Sequence, residues 1–289
     1  MTTAKARWTH RTANRTWVGA LDDERSATGE AFERRRVLQW FHVLVVLTRH
    51  DFRSRYRAQA LGMVWSLLQP LVTMALLAII FSRVFQSSTR NLPIFLLVGI
   101  VTWQWIATSL TTSTVAFVSY GNFLKNTVFP RELLPISMVL STSLNFALES
   151  LLLPLFIPAF PDAFRVTPAL LLVPVFVFLL GLMLAGAALV VSVLNVLFRD
   201  VAYIVTTGVS ILYWLTPVIY PVTVVPEPFQ LILKCNPLGA ILTGIRDATM
   251  NGTTPSALGW ASMLLPTILL LVTGTVVFRR MESVMLDNV

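Results

Sequence analysis

The amino-acid sequence predicts an all-α polytopic membrane protein. We expect six transmembrane helices, an N-terminal amphipathic interface helix and short external helices that are either re-entrant or form a gate. Two observations predict this class. Of the 289 residues, 55% are hydrophobic and only 12% are charged, whereas a soluble domain carries about 25% charged residues. Six apolar runs also have about the 20 residues that a helix needs to cross a bilayer.

The N-terminal region divides into two predicted segments. Residues 1–35 are polar and mixed in charge, so we interpret them as a mobile cytoplasmic arm. Residues 36–63 contain an apolar run of only 11 residues between Arg clusters, which is too short to span a bilayer. This pattern predicts an amphipathic helix at the cytoplasmic surface, and a helix packed against the bundle is the alternative. A turn at Leu61-Gly62 follows, where glycine permits a positive φ.

The transmembrane domain, residues 64–289, holds the predicted spans. Their approximate bounds are 64–85, 94–117, 135–157, 170–194, 203–221 and 258–278. All but five of the 22 lysines and arginines then fall on the side that holds both termini. Because positive residues accumulate in cytoplasmic loops, both termini are predicted to be cytoplasmic.

Two connecting loops are too long to be simple connections. Residues 118–134 mix aromatic and charged side chains, as would a short amphipathic helix that docks onto a partner at the cytoplasmic face. Residues 222–257, outside, carry four prolines between short apolar runs. They predict short or re-entrant helices that cover an opening. Within the fourth span, Gly181 and Ala185 have the small-xxx-small spacing that permits close helix approach.

Span three carries a stripe of polar residues. Ser141, Asn145 and Glu149 recur at every fourth position, so they share one helical face. Glu149 is the one acid within the predicted spans, and an ionised acid at mid-membrane costs about 3 kcal/mol. The stripe is therefore predicted to face the bundle interior or a conduit. It would either connect span three to a neighbouring helix or contact a substrate.

A set of short motifs occurs in a fixed order between residues 36 and 280. They are Leu61-Gly62 with Trp65, Trp103-Gln104-Trp105, Phe129-Pro130-Arg131-Glu132, Phe198-Arg199-Asp200, Pro217 with Tyr220, Asn236-Pro237 and Arg246. Together they resemble the ABC-2 type permeases of polysaccharide, O-antigen and teichoic-acid exporters, as a Wzm-like transmembrane subunit. Residues 1–35 fall outside the resemblance.

The resemblance implies roles for groups of residues. The group that would couple to an ATPase is Asn122, Leu124, Lys125, Phe129, Pro130, Arg131 and Glu132. The group at the cytoplasmic entrance would be Leu61, Gly62 and Trp65, with an ion pair of Arg199 and Asp200 also at that face. The external gate would hold Pro217, Tyr220, Asn236, Pro237 and Arg246. The candidate conduit lining is Trp103, Trp105, Asn145 and Glu149. The tryptophans are included because aromatic faces stack on sugar rings, and simple packing is the alternative for them.

The resemblance implies a transporter subunit in the cytoplasmic membrane of a bacterium and no enzyme. Two copies of the chain would form the pore, and two separate ATPase subunits would bind ATP and Mg. The sequence agrees, because it contains no G-x-x-x-x-G-K-[ST] phosphate loop. We expect no catalytic residue, cofactor or metal in this chain. We also expect no nucleic-acid partner, because the excess positive charge of the N-terminal region suits a membrane surface.

The expected function is export of a lipid-linked polysaccharide, such as a galactan or an O-antigen-like glycan. Export of a small drug or a lipid by a related permease is the alternative. A membrane-embedded enzyme is disfavoured, because the predicted spans hold one acid and no Asp/His cluster that could bind a metal or activate a nucleophile.

Overall fold

The structure, a computed structural model, describes residues 38–57, 62–85, 89–121 and 129–286. The predicted arm, Leu61, and the coupling residues Asn122, Leu124 and Lys125 lie outside these ranges. The chain divides into two units, Met1–Val46 and Leu47–Val289. The described residues of the first unit, 38–46, are helical and expose Leu38 and Phe41.

The described residues form helices connected by short loops. Helix α1 covers residues 38–56. The helices that follow are α2 (Val64–Arg83), α3 (Leu92–Thr114), α4 (Ala116–Ser119), α5 (Leu133–Ser150), α6 (Leu152–Leu155), α7 (Val173–Leu197), α8 (Val201–Leu215), α9 (Glu227–Cys235), α10 (Pro237–Arg246) and α11 (Ala257–Leu286). Short 3₁₀ turns precede α7 and α9, and a π-helical turn, Asp247–Asn251, follows α10.

Among the described residues, five helical stretches are long and apolar enough to cross a membrane. They are Val64–Arg83, Leu92–Thr114, Leu133–Leu155, Pro168–Leu197 and Ala257–Glu282. These stretches correspond to predicted spans one to four and six, so the all-α polytopic class is confirmed. The remaining predicted span is the shorter helix α8, and the count of six spans stays a prediction.

Helix α8 is shorter than the predicted span 203–221, and the sequence explains where it stops. Its 15 residues cover about 22 Å at a rise of 1.5 Å per residue. Thr216, which precedes Pro217, adopts an extended conformation with φ −110° and ψ 136°, because the proline ring disfavours the helical region for the residue before it.

The turn at Gly62 also forms as predicted, with φ of +50°.

Helix α3 lies at the centre of the second unit and contacts α2, α5, α7, α8 and α10. Helices α7 and α11 make the closest pair, at Gly186 and Gly274. A Cβ on Gly186 would lie 2.7 Å from the backbone of Leu270, and one on Gly274 would collide with the Gly186 carbonyl. Gly181, in the predicted small-xxx-small motif, instead faces the indole of Trp105 at an ordinary 3.6 Å.

Candidate functional site

A polar cavity of about 190 Å³ lies where α1, α2, α3 and α5 meet. Its lining residues come from all four helices: Arg55 and Tyr56 from α1, Trp65, Ser66 and Gln69 from α2, Gln104, Trp105 and Thr108 from α3, and Thr142, Asn145, Phe146 and Glu149 from α5. The cavity therefore brings together Trp65, predicted at the cytoplasmic entrance, with three of the four residues predicted to line a conduit.

The polar stripe of α5 forms one wall of the cavity. Asn145 accepts a hydrogen bond from the Tyr56 hydroxyl at 2.7 Å, and the hydroxyls of Thr142 and Ser109 lie 2.6 Å apart. These bonds connect α5 to α1 and to α3. Ser141 and Glu149 are buried as well. The prediction that the stripe faces the interior of the bundle is therefore confirmed.

Aromatic side chains form a second wall. Trp105 and Phe146 stack with ring centroids 4.7 Å apart and an interplanar angle of 24°. The indole Nε1 of Trp105 is buried and has no hydrogen-bond acceptor among the described residues. Trp65 also lines the cavity, and 49% of its surface is exposed. The indole N–H of Trp105 is therefore a buried donor beside the cavity.

Glu149 is buried, with only 5% of its surface exposed. Within the described ranges its carboxylate has neither a hydrogen bond nor an ion pair. Arg55, the one cationic side chain among the described residues that line the cavity, is bound to Asp51 at 2.8 Å. The carboxylate of Glu149 thus lines the cavity as an acceptor that the described residues leave unpaired.

A second cluster surrounds Arg246, which is 5% exposed. Its guanidinium donates to the backbone carbonyls of Pro217 and Val218, and to that of Phe95 at 3.1 Å. The guanidinium carbon also lies 3.7 Å from the centre of the Phe95 ring. Burial lowers the pKa of Arg246 to about 9, and neighbouring Asp247 opposes that shift. The guanidinium therefore remains charged at neutral pH and holds α3, α10 and the turn after α8 together.

The other residues predicted for the external gate belong to the same cluster. Asn236 donates to the Thr216 hydroxyl at 2.9 Å and to the Leu215 carbonyl at 3.2 Å. Its side-chain oxygen accepts from the backbone N–H of Leu238 and so caps α10. Tyr220 donates back to the carbonyl of Trp214. The structure thus groups these residues around the end of α8, and their external location stays a prediction.

The structure corrects one prediction about a residue pair and shows that two residues predicted to act together lie apart. The predicted ion pair of Arg199 and Asp200 does not form in the described part of the chain, where both side chains are exposed. Trp103 lies on another face of α3 from Trp105 and packs edge-on against the ring of Tyr213 at 5.5 Å.

Several cavity residues received no role in the sequence interpretation, among them Tyr56, Gln69 and Gln104. The two glutamines were identifiable, because they are the only glutamines inside the predicted spans and polar side chains there rarely face lipid. Tyr56 gave no such signal, because it lies among charged residues at the end of α1. Its partner Asn145 is 89 residues away along the chain.

The predicted coupling loop is described only at its ends. Tyr120 contacts His50 of α1, with the hydroxyl 3.5 Å from Nδ1 and the two rings edge-on at 6.2 Å. Burial raises the pKa of Tyr120. Residues 129–132 form turns that lead into α5. The described members of the predicted entrance group are thus Gly62 and Trp65. Those of the predicted coupling group are Phe129–Glu132.

The chain is similar to known transport proteins along most of its length. The family model of ABC-2 type transporters matches residues 42–250. An O-antigen export system permease protein RfbA from Klebsiella pneumoniae is 32% identical over 246 residues, which cover 84% of this chain and 93% of the relative. RfbA from Myxococcus xanthus is 27% identical, over 86% of this chain and 96% of the relative. The polysialic acid transport protein KpsM from Escherichia coli is 24% identical, over 82% and 93%.

Proposed function

This chain belongs to the ABC-2 type transporter family, and from that premise we propose that it is the permease subunit of a bacterial polysaccharide exporter. It would move a lipid-linked glycan outward across the cytoplasmic membrane. The observation that carries the proposal is the match to O-antigen and polysialic acid transport proteins over more than nine tenths of their length. The five membrane-length helices of the described chain support it.

We propose that two separate ATPase subunits supply the energy. The sequence supports a separate ATPase, since it has no phosphate loop that could bind ATP. The loop between α4 and α5 would dock onto that subunit through residues 120–134. The contact of Tyr120 with His50 supports this role, because it connects the start of the loop to α1. A movement of the ATPase could then reach both α1 and α5.

We also propose that two copies of the chain form the transport path. Helix α2 leaves Val72, Leu76 and Ile79 each more than half exposed. Helix α8 exposes the aromatic residues Tyr203 and Trp214 beside the polar Thr207. Lipid can cover the apolar side chains, but a face that mixes aromatic and hydroxyl groups suits contact with a second helix or a polar substrate.

The proposed function is tested by deleting the gene in its host. Surface glycan, measured with an antiserum or lectin against the host polymer, should fall to background, and lipid-linked glycan should accumulate inside the cell. Complementation with the wild-type gene should restore the surface polymer. Complementation in a strain whose adjacent ATPase gene lacks its phosphate-loop lysine should not, because transport needs both subunits.

Normal surface glycan in the deletion strain would contradict the proposal. If that strain instead becomes sensitive to a drug, or loses a membrane lipid, export of a small molecule would replace polysaccharide export. The two outcomes separate the main function from its alternative.

A further inference from the structure

We propose that the polar cavity at the junction of α1, α2, α3 and α5 is a saccharide subsite that holds one sugar residue of the transported glycan. The Glu149 carboxylate would accept hydrogen bonds from sugar hydroxyls, and the Trp105 indole N–H would donate to a sugar oxygen. This inference rests on the proposed exporter function and goes further, since it assigns a binding site inside one copy of the chain.

The first argument is that the cavity is bordered by a donor and an acceptor that the described residues leave unpaired. The donor, Nε1 of Trp105, is buried without a partner, and a buried polar group in that state costs about 1–3 kcal/mol. The acceptor is the carboxylate of Glu149, which lines the cavity and bonds to no described residue, although the residue as a whole is only 5% exposed. A donor and an acceptor beside one cavity indicate that a ligand, or water in its absence, completes their hydrogen bonds.

The second argument concerns the charge of the ligand. Arg55 is neutralised by Asp51, so the described lining offers no unpaired cation that would attract a phosphate or another anion. A divalent metal ion prefers several oxygen ligands that include more than one carboxylate, and Glu149 is the one acid among the described lining residues. A neutral ligand with many hydroxyls fits this set better than either ion.

The third argument is the chemistry of the remaining lining. Gln69, Gln104 and Asn145 carry amides, which offer both donors and acceptors. The Asn145 oxygen already accepts from Tyr56, so its amide N–H groups remain available to a ligand. Aromatic planes accompany these amides at Trp65 and Trp105. Amides beside aromatic faces match the two surfaces of a sugar ring, which has hydroxyls at its edge and C–H groups on its face.

The fourth argument is size and rigidity. The cavity of about 190 Å³ exceeds the roughly 150 Å³ of an engineered cavity that binds benzene, so it accommodates one six-membered ring. The stacking of Trp105 on Phe146 fixes the indole, and the bond from Tyr56 fixes the amide of Asn145. A binding site held by its own packing loses little conformational freedom when the ligand binds.

The test measures glycan binding by thermal shift of the permease in nanodiscs. The probe is the lipid-linked glycan extracted from the host strain that lacks the permease gene. Added glycan should raise the Tm of the wild type, because a ligand that binds only the folded state stabilises it. Glu149→Leu and Trp105→Phe should each weaken binding about tenfold, as expected for the loss of one hydrogen bond to a charged or buried group.

Two further variants act as controls. Ser143→Ala lies on the same helix but outside the cavity, and its hydroxyl bonds only to the Leu140 carbonyl, so it should bind glycan like the wild type. Glu149→Gln removes the charge and keeps an oxygen that accepts hydrogen bonds, so its binding should stay within about threefold of the wild type. Without glycan, Glu149→Leu should melt at or above the wild-type Tm, since the carboxylate stabilises no described protein group.

Each other outcome has a defined meaning. If Glu149→Leu and Trp105→Phe bind glycan like the wild type, the subsite is refuted while the exporter function stands. A lower Tm for Glu149→Leu without glycan would mean a structural role and also refute it. If Glu149→Gln loses binding completely and tetraphenylphosphonium shifts the wild-type Tm, the cavity binds organic cations. The exporter function itself fails only if the deletion strain keeps its surface glycan.

Discussion

Arg246 compensates for the break in the helical backbone after α8. Residues 216–219 are buried although they are not part of α8, and non-helical backbone at membrane depth is tolerated only where protein or water covers it. The guanidinium supplies donors to two carbonyls of this turn and to one carbonyl of α3. Gly99 makes room, because a Cβ there would collide with the guanidinium. One side chain therefore stabilises the whole turn.

At this scale we predict that Arg246→Lys destabilises the protein. Lysine has a single ammonium and cannot reach three carbonyls with the planar fork of a guanidinium, so buried acceptors lose their partners. The expected loss is about 3 kcal/mol, measured as a lower Tm of the purified permease and accompanied by lost export. Arg83→Lys, at an exposed position, is the matched control and should leave the Tm unchanged. Equal Tm values for the two variants would contradict the role of Arg246.

At the scale of elements, the close approach of α7 and α11 depends on glycine. We predict that Gly186→Ala destabilises this helix pair by about 1–3 kcal/mol, because its Cβ would lie 2.7 Å from the backbone of Leu270, which cannot rotate away as a side chain can. Gly181→Ala on the same helix is the control, since its Cβ would meet Trp105 at an ordinary 3.6 Å. Thermal melting of both variants measures the difference. A Gly181 variant that melts lower than the Gly186 variant would show that the contact is misassigned.

A second prediction for an element concerns the loop between α4 and α5. Phe129→Asp should stop export while the permease still inserts and dimerises, because a charge in a packed apolar contact with the ATPase disfavours docking. Phe129→Leu keeps the contact apolar and should export normally. Surface glycan and co-purification of the ATPase measure the two effects. Full export by the aspartate variant would place the docking surface elsewhere.

At the scale of the whole molecule, the distribution of positive charge predicts the orientation in the membrane. Residues 118–134 should be cytoplasmic and 222–257 external. Single cysteines at Asn126 and Asn251, in a Cys235→Ser background, should react with an impermeant thiol reagent from opposite faces. Labelling from the same face would contradict the six-span topology. It would mean that the shorter helix α8 does not cross the membrane.

Several features of the site could be predicted from single helices. Fourfold spacing placed Ser141, Asn145 and Glu149 on an inward face, and the structure buries that face. The twofold spacing of Trp103 and Trp105 could have separated them, since residues two apart on a helix point to different sides. Neither pattern identifies the partner helix. Which helix contributes Tyr56 to the cavity depends on packing between residues far apart in sequence.

The sequence by itself determined the class of the protein, because long apolar runs have few stable solutions other than helices that cross a bilayer. Local backbone sterics also set the turn at Gly62, which was predicted, and the end of α8 before Pro217, which the predicted span 203–221 overran. The tertiary structure alone decided that Gly186 rather than Gly181 makes the close helix contact, and that Glu149 and Trp105 border one cavity. Lipid and protein interiors are equally apolar, so hydropathy cannot distinguish a face that meets lipid from one that meets another helix.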